Sequence, residues 1–202
     1  MKKYIVVFFL FLAYGLQAQN REKIDAAPSF TWYGLDFTQA RLVGSDADFT
    51  DRAKIVSHFF DQWNQLILGE PEKYNLEGTF NKHIINNIAI ASRRNAGVDY
   101  LKLLADKPNA VSPEDIDAIV KHYSGDEGIG LLFVIENFDK PAVKVRFWVV
   151  LFDVKTHKVL MAKQTENKVG GGIGFKNYWA SGIYAGLKSI KMLYPGWLKS
   201  LN

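Results

Sequence analysis

Residues 128–193 constrain the fold more than any other part of the chain. They contain three strand-like runs separated by turn residues, followed by a glycine-rich loop and a helical pattern. The predicted strands cover residues 131–138, 143–153 and 159–165. Because the connections between them are short, neighbouring strands should run in opposite directions. The segment therefore predicts an antiparallel β-meander that leads into a helix.

The predicted helix covers residues 176–193, where apolar side chains recur at steps of three and four residues. Gly182 and Gly186 lie beside this apolar stripe, and each costs roughly 1 kcal/mol of helix propensity relative to alanine. We expect these two small residues to let the helix lie close on the sheet. In the second predicted strand, residues 148–152 are apolar on both faces, which indicates layers on both sides of the sheet.

The first residues have the pattern of a secretory signal peptide. Two lysines precede an uncharged run over residues 4–12, and Ala18 provides a small residue at the expected cleavage position. The apolar run is short for a membrane span, so an uncleaved anchor is the weaker alternative. We expect a signal peptide over residues 1–18, a flexible segment over residues 19–29, and one globular domain over residues 30–202.

Composition narrows the possible environments and partners. The chain has no cysteine, which excludes disulfide bonds and the lipid attachment of a bacterial lipoprotein. The formal net charge is +4, but the charges are scattered and form no long basic run. This distribution does not indicate nucleic-acid binding. We expect an exported protein of the periplasm or the extracellular space that is not anchored to lipid.

The sequence signals for the remaining strands and helices differ in strength. Residues 30–37 and 40–43 have the composition of a strand broken near Gly34 or Thr38, and this strand should pair with the meander. A helix is predicted over residues 49–68, and Ser112 followed by Pro113 indicates the start of another. Residues 70–111 are the hardest to interpret, with a strand over residues 83–91 as the best prediction.

These elements together predict an α/β domain with an α+β tendency. We expect a mainly antiparallel sheet of about five strands, with helices packed on its faces and the meander and its helix at the C-terminal end.

The candidate ligand site is the glycine-rich and aromatic segment at the start of the last helix. Some of its aromatic rings must belong to the core, and any exposed ring would suit a sugar or the apolar surface of a partner protein. The predicted ligand-binding residues are Gly172, Gly174, Phe175, Tyr178 and Trp179. The glycine spacing does not match a nucleotide-binding loop, so a tight turn is the simpler interpretation of the glycines.

A second candidate consists of carboxylates on or beside the meander strands, namely Glu136, Asp139 and Asp153. Two carboxyl groups at a suitable separation can act as acid and base in glycoside hydrolysis. The sequence does not give that separation, and charged strand ends are common without any catalytic role.

No metal or cofactor is expected. Asp46, Asp48 and Asp51 share one loop, but they lack the spacing of a calcium loop and suit the N-terminus of the following helix. The four histidines are far apart in sequence and match no ligand spacing.

Two segments, residues 32–37 and 170–179, resemble a family of small exported proteins of unknown function from Bacteroidota. The resemblance implies a location outside the cytoplasm and no particular catalysis. Because no set of catalytic residues stands out in the sequence, we expect a non-catalytic binding or assembly module of the cell envelope, with a glycan or an envelope protein as partner. The alternative is an envelope hydrolase acting on glycan or peptidoglycan through the paired carboxylates.

Overall fold

The computed structural model describes residues 18–201. The expected signal peptide therefore lies almost entirely outside the described residues. The helices are α1 (residues 18–26), α2 (Arg52–Lys54), α3 (Phe60–Gly69), α4 (Leu76–Phe80), α5 (Ala89–Ala96), α6 (Pro113–Val120) and α7 (Gly174–Lys199). The strands are β1 (Ser29–Asp36), β2 (Arg41–Val43), β3 (His83–Asn86), β4 (Leu104–Ala105), β5 (Ile129–Asp139), β6 (Lys144–Asp153) and β7 (Val159–Lys168).

Strand β5 is the centre of one seven-stranded sheet. On one side it pairs antiparallel with β6, which in turn pairs antiparallel with β7. On the other side it pairs in parallel with two strands placed end to end, β1 beside residues 129–134 and β2 beside residues 137–139. Strands β3 and β4 extend this side by pairing in parallel with β1 and β2.

The prediction of a mainly antiparallel sheet of about five strands is wrong, because four of the six strand pairings are parallel. Strands β1 and β2 are joined to β5 by a long segment that contains helices α2 to α6. A connection of this kind lets a chain return to its sheet in the same direction. The meander of β5, β6 and β7 and the helix after it are present as expected.

The first strand is broken, as the sequence predicted, between Asp36 and Arg41. Two side-chain amides satisfy the backbone near the break. Asn64 accepts from the N–H of Leu35 at 2.7 Å, and Asn95 accepts from the N–H of Phe37 at 2.7 Å. Both amides also donate to the carbonyl of Leu35. Buried backbone groups at the break are thus paired although the sheet ladder is interrupted there.

Helices cover both faces of the sheet, which makes three layers. Helix α7 packs over the meander on the first face, together with α3 and α4, and Ile24 of α1 is buried on this side. Helix α6 and Ala91 of α5 cover the second face. The stretch expected to be flexible, residues 19–29, contains most of α1 and the start of β1. Its Lys23 forms an ion pair with Asp153.

Helix α7 lies so close to the sheet that its two internal glycines face strand side chains directly. A Cβ atom added at Gly182 would stand 2.6 Å from Cγ2 of Val145, and one at Gly186 would stand 2.4 Å from Cζ of Phe147. Carbon atoms normally approach to about 3.5–4.0 Å. The structure therefore supports the interpretation of these glycines as spacers for close packing.

The helix signals upstream are largely confirmed. Arg52–Lys54, a π-helical turn over Ile55–Phe59 and Phe60–Gly69 form one continuous helix. Ser112 caps α6 in a capping box, in which its hydroxyl accepts from the N–H of Asp115 at 3.2 Å. The strand predicted over residues 83–91 is shorter than expected, because the chain turns into α5 from Ala89.

Candidate functional site

The five predicted ligand-binding residues lie together in the structure around one cleft. The cleft has a volume of about 290 Å³ and is lined by Asp48, Lys140, Gly172, Gly174, Phe175, Tyr178 and Trp179. We call it the α7 cleft. The sequence analysis did not assign Lys140 to any site, and it interpreted Asp48 as part of an acidic helix N-terminus in preference to a calcium ligand.

The topology of the sheet brings these residues to one place. Strands β2 and β5 are parallel and end side by side, and the N–H of Lys140 donates to the carbonyl of Val43 at 3.0 Å. Asp48 lies in the loop after β2, Lys140 directly follows β5, and α7 begins beside them. In open α/β sheets, ligands bind in the crevice outside the carboxyl ends of the strands. The α7 cleft occupies this position.

Two opposite charges and an aromatic ring face the cleft. The Nζ atom of Lys140 lies 4.1 Å from the centre of the Tyr178 ring, in a cation–π contact. Asp48 accepts from the hydroxyl of Ser45 at 2.6 Å and from its N–H at 2.9 Å. These hydrogen bonds, with a smaller contribution from the charge of Lys140, lower the pKa of Asp48. The cleft therefore presents the Asp48 carboxylate together with the side chain of Lys140.

The floor of the cleft is part of the aromatic core. Trp179 is only 2 % exposed, and its ring is stacked on that of Phe49 with centroids 5.7 Å apart. Phe175 is half-buried and contacts Phe59 at a centroid distance of 5.0 Å. Tyr178 and Phe175 are both half-buried, so each reaches the surface in part. The Tyr178 ring is thus supported by side chains that are fixed by packing.

The glycines shape the entrance to α7. A Cβ atom at Gly172 would stand 2.6 Å from the backbone of Asn177 in the first turn, so no other residue fits there. Gly174 has a φ of 79°, in the left-handed region that favours glycine. The N-cap residue, Ile173, makes no side-chain hydrogen bond to the first turn. The carbonyl of Ile173 instead accepts a hydrogen bond from the side-chain amide of Asn177 at 3.1 Å.

Of the three candidate carboxylates, Asp153 lies far from the other two. Asp153 pairs with Ile129 at the start of β5, whereas Asp139 is at the other end of the same strand. Strand β5 has 11 residues, so its two ends are roughly 33 Å apart. The carboxylate of Asp139 accepts from the N–H of Ala142 at 2.8 Å and fixes the turn after the strand.

Glu136 is fully buried on the second face of the sheet. Its Oε1 accepts from the N–H of Val111 at 3.0 Å, and its Oε2 accepts from Nε2 of Gln164 at 2.6 Å. Burial raises the pKa of Glu136, and these two hydrogen bonds partly oppose the increase. Oε1 holds the chain before α6 against β5, and Oε2 connects β5 to β7. The arrangement is that of a structural anchor.

A buried polar network at the end of β1 was missed by the sequence analysis. Asp36 is 0 % exposed and accepts from Thr38, from Nε of Arg94 at 3.0 Å and from the hydroxyl of Tyr123 at 2.6 Å. Burial, followed by the charge of Asp36, raises the pKa of Tyr123, which keeps its phenol protonated as a donor. These contacts join β1 to α5 and to the turn after α6.

The aspartates of the loop before α2 have separate partners. Asp46 forms an ion pair with Arg52, Asp48 binds Ser45, and Asp51 accepts from the N–H of Lys54 at 2.9 Å as the N-cap of α2. Within residues 18–201, no group of three histidine or acidic side chains is placed to hold a metal ion.

Comparisons of this chain with protein-family models, with curated proteins and with solved structures find no match. In the part of the chain that the structure describes, no helix has the length and apolar character needed to cross a membrane. The fold defines an α/β protein with a three-layer architecture, and its function must be inferred from its own surfaces.

Proposed function

We propose that the chain is an exported, non-catalytic binding or assembly module of the cell envelope, and that its ligand site is the α7 cleft. One observation carries the proposal, namely that Tyr178, Lys140 and Asp48 line one cleft at the carboxyl ends of two parallel strands. Export is inferred from the leader pattern of residues 1–18, and the resemblance to exported Bacteroidota proteins agrees with it.

The chemistry of the cleft suits a glycan. A sugar ring needs an apolar face to pack on, and its hydroxyl groups need charged or polar partners. Tyr178 supplies the aromatic surface, while Asp48 accepts and Lys140 donates hydrogen bonds. Because the charges of Asp48 and Lys140 have opposite signs, the cleft favours a ligand rich in hydroxyl groups over one with a large net charge. The supporting aromatic core keeps the tyrosine in place before the ligand arrives.

The alternative of an envelope hydrolase has no comparable support. Asp153 lies at the opposite end of β5 from Asp139. Both carboxylate oxygen atoms of Glu136 already accept hydrogen bonds within the protein. A pair of catalytic carboxylates needs a common cleft with about 5–10 Å between the two groups.

The proposal is tested by thermal unfolding of the purified protein with a panel of glycans and muropeptides. A ligand at about 100 times its dissociation constant adds roughly 2.7 kcal/mol, which corresponds to about 5–11 °C for a domain of this size. We expect Tyr178→Ala to remove the shift. The matched control is Tyr100→Ala, which changes a tyrosine that is 44 % exposed elsewhere on the surface.

Two results would contradict the proposal. One is a panel in which no glycan or muropeptide raises the melting temperature. The other is a shift that persists in Tyr178→Ala, which would place the ligand outside the α7 cleft. New reducing ends released from a bound glycan would instead support the hydrolase.

A further inference from the structure

The α7 cleft contains two side chains of opposite charge that are not paired with each other. Asp48 and Lys140 are the charged residues of its lining. Within residues 18–201, neither of them takes part in an ion pair. Two opposite charges therefore face the same space, and each lacks an ionic partner inside the described part of the chain.

The two side chains come close to each other near the backbone and then separate. A Cβ atom built at Gly44, directly after β2, would stand 3.1 Å from Oδ2 of Asp48 and 3.4 Å from Cβ of Lys140. The Nζ atom of Lys140, however, lies over the ring of Tyr178 and not on the carboxylate. The negative face of an aromatic ring attracts a cation. Tyr178 thus keeps the charge of Lys140 apart from that of Asp48.

Both charged groups have hydrogen-bonding capacity that the protein does not use. Oδ2 of Asp48 accepts from the N–H and the hydroxyl of Ser45, whereas Oδ1 accepts from none of the described residues. A lysine Nζ carries three N–H donors, and in the described part of the chain that of Lys140 contacts the Tyr178 ring. A ligand in the cleft can therefore donate to Asp48 and accept from Lys140 without breaking a bond within the protein.

The two charges select among ligands. A cationic ligand would be attracted by Asp48 and repelled by Lys140, and an anionic ligand would meet the reverse. A neutral ligand would form hydrogen bonds to both groups, but these are weaker than hydrogen bonds between two charged groups. A ligand with one cation and one anion close together satisfies both residues and has no net charge.

We propose that the ligand of the α7 cleft carries a free amino-acid centre, which is an ammonium and a carboxylate on one carbon atom. Asp48 binds the ammonium and Lys140 binds the carboxylate, while Tyr178 holds Lys140 in position. The inference rests on the proposed function, because it names the part of a glycan-linked ligand that the cleft recognises. Among glycans, a muropeptide with an unblocked diamino acid in its peptide stem has such a centre.

The experiment compares four ligands by isothermal titration calorimetry with the purified protein. The first is a disaccharide–tripeptide muropeptide that ends in diaminopimelate, whose free amino group and neighbouring carboxylate form the centre. In the second that amino group is acetylated, and in the third that carboxylate is amidated. The fourth is the disaccharide without a peptide. We expect each block, and removal of the peptide, to raise the dissociation constant at least tenfold.

Two variants assign each charge of the ligand to one residue. Asp48→Asn should weaken the free muropeptide at least tenfold, and acetylation should then cost nothing further. Lys140→Met should have the same effect, with amidation as the block that no longer matters. Asparagine still offers Ser45 an acceptor, so Asp48→Asn keeps the loop intact. Asp117→Asn and Lys121→Met, two exposed changes at α6, are the matched controls and should leave binding unchanged.

The outcomes separate this inference from the proposed function. If none of the four ligands binds, both are overturned. If the disaccharide binds as tightly as the free muropeptide, or if neither block weakens binding, the site is a glycan site and this inference alone is overturned. Blocks that weaken binding equally in the original protein and in both variants would place the amino-acid centre outside the α7 cleft, which also overturns the inference.

Discussion

Substitution of Gly186 by alanine should destabilise the protein, although alanine is the better helix former. The change gains about 0.8–1.0 kcal/mol of helix propensity. The added methyl group, however, would stand 2.4 Å from Cζ and 2.5 Å from Cε1 of Phe147. The ring is fully buried and packs on Phe133 with centroids 5.2 Å apart, so it has little room to move.

The size of the effect follows from these two opposing contributions. Overpacking of a filled core costs about 1–3 kcal/mol. Because a backbone position must shift against a rigid ring, we take the upper part of this range and expect a net loss of about 1–2 kcal/mol. The melting temperature should fall by about 2–8 °C for a domain of this size.

The control for this prediction is Gly196→Ala in the same helix. No atom lies within 4 Å of a Cβ built at Gly196, so the control should be neutral or gain up to about 1 kcal/mol. Both variants are measured by urea unfolding of the purified protein. Combining Gly186→Ala with Phe147→Leu should give a favourable coupling energy of about 0.5–3 kcal/mol. Equal stabilisation by the two alanines would refute the close-packing argument.

Three further predictions concern polar contacts. Arg94→Met should cost about 3–5 kcal/mol of unfolding free energy, because it leaves the buried Asp36 charge without its cation; an unchanged urea midpoint would contradict this. Burial opposes ionisation of Asp153, but hydrogen bonds from Lys23 and Thr156 outweigh it and lower its pKa to about 2. Since the folded pKa is below the unfolded value, this stabilisation is present above about pH 4 and is lost as the pH falls towards 2. Lys23→Met should therefore reduce stability at pH 6 and have little effect at pH 2, as measured by urea titrations at both values; an equal loss at both would show that packing is responsible. Ser112→Ala should cost about 1 kcal/mol through loss of the α6 cap, whereas Ser112→Asp, measured beside it, should retain most of the stability.

The meander was predictable because its strands are apolar and its connections are short. The pairing of these neighbouring strands can therefore be predicted from residues close in sequence, without knowledge of the rest of the chain. The direction of β1 relative to β5 could not be predicted in this way. The composition of residues 30–37 suits a parallel and an antiparallel strand equally well. The long helical connection between them was a usable signal for parallel pairing. Strand β4 contains only two residues, too few for a period to be recognised, and the four residues of β3 were predicted only as part of a longer strand.

The candidate site was predictable only in part. Gly172 to Trp179 are adjacent in sequence, so their aromatic and glycine content could be noticed together. Lys140 joins them through the end of β5, and Asp48 joins them through the loop after β2. Their proximity results from the parallel pairing of those strands, which the sequence analysis had not predicted. Asp36 was missed for the same reason, as its partners Arg94 and Tyr123 lie far along the chain.

Strand β5 pairs with strands from both halves of the chain, and the two halves should therefore fold in a definite order. Phe30 pairs with Ile129, so roughly a hundred residues separate the two sides of that pairing. The meander and α7, by contrast, are formed by residues that are close in sequence. Because closing a long loop costs entropy before its contacts form, the C-terminal half should assemble first and offer β5 as a template. Until β5 has formed, the aromatic strand β1 has no partner strand. Its exposed edge makes the partly folded chain prone to association with other copies.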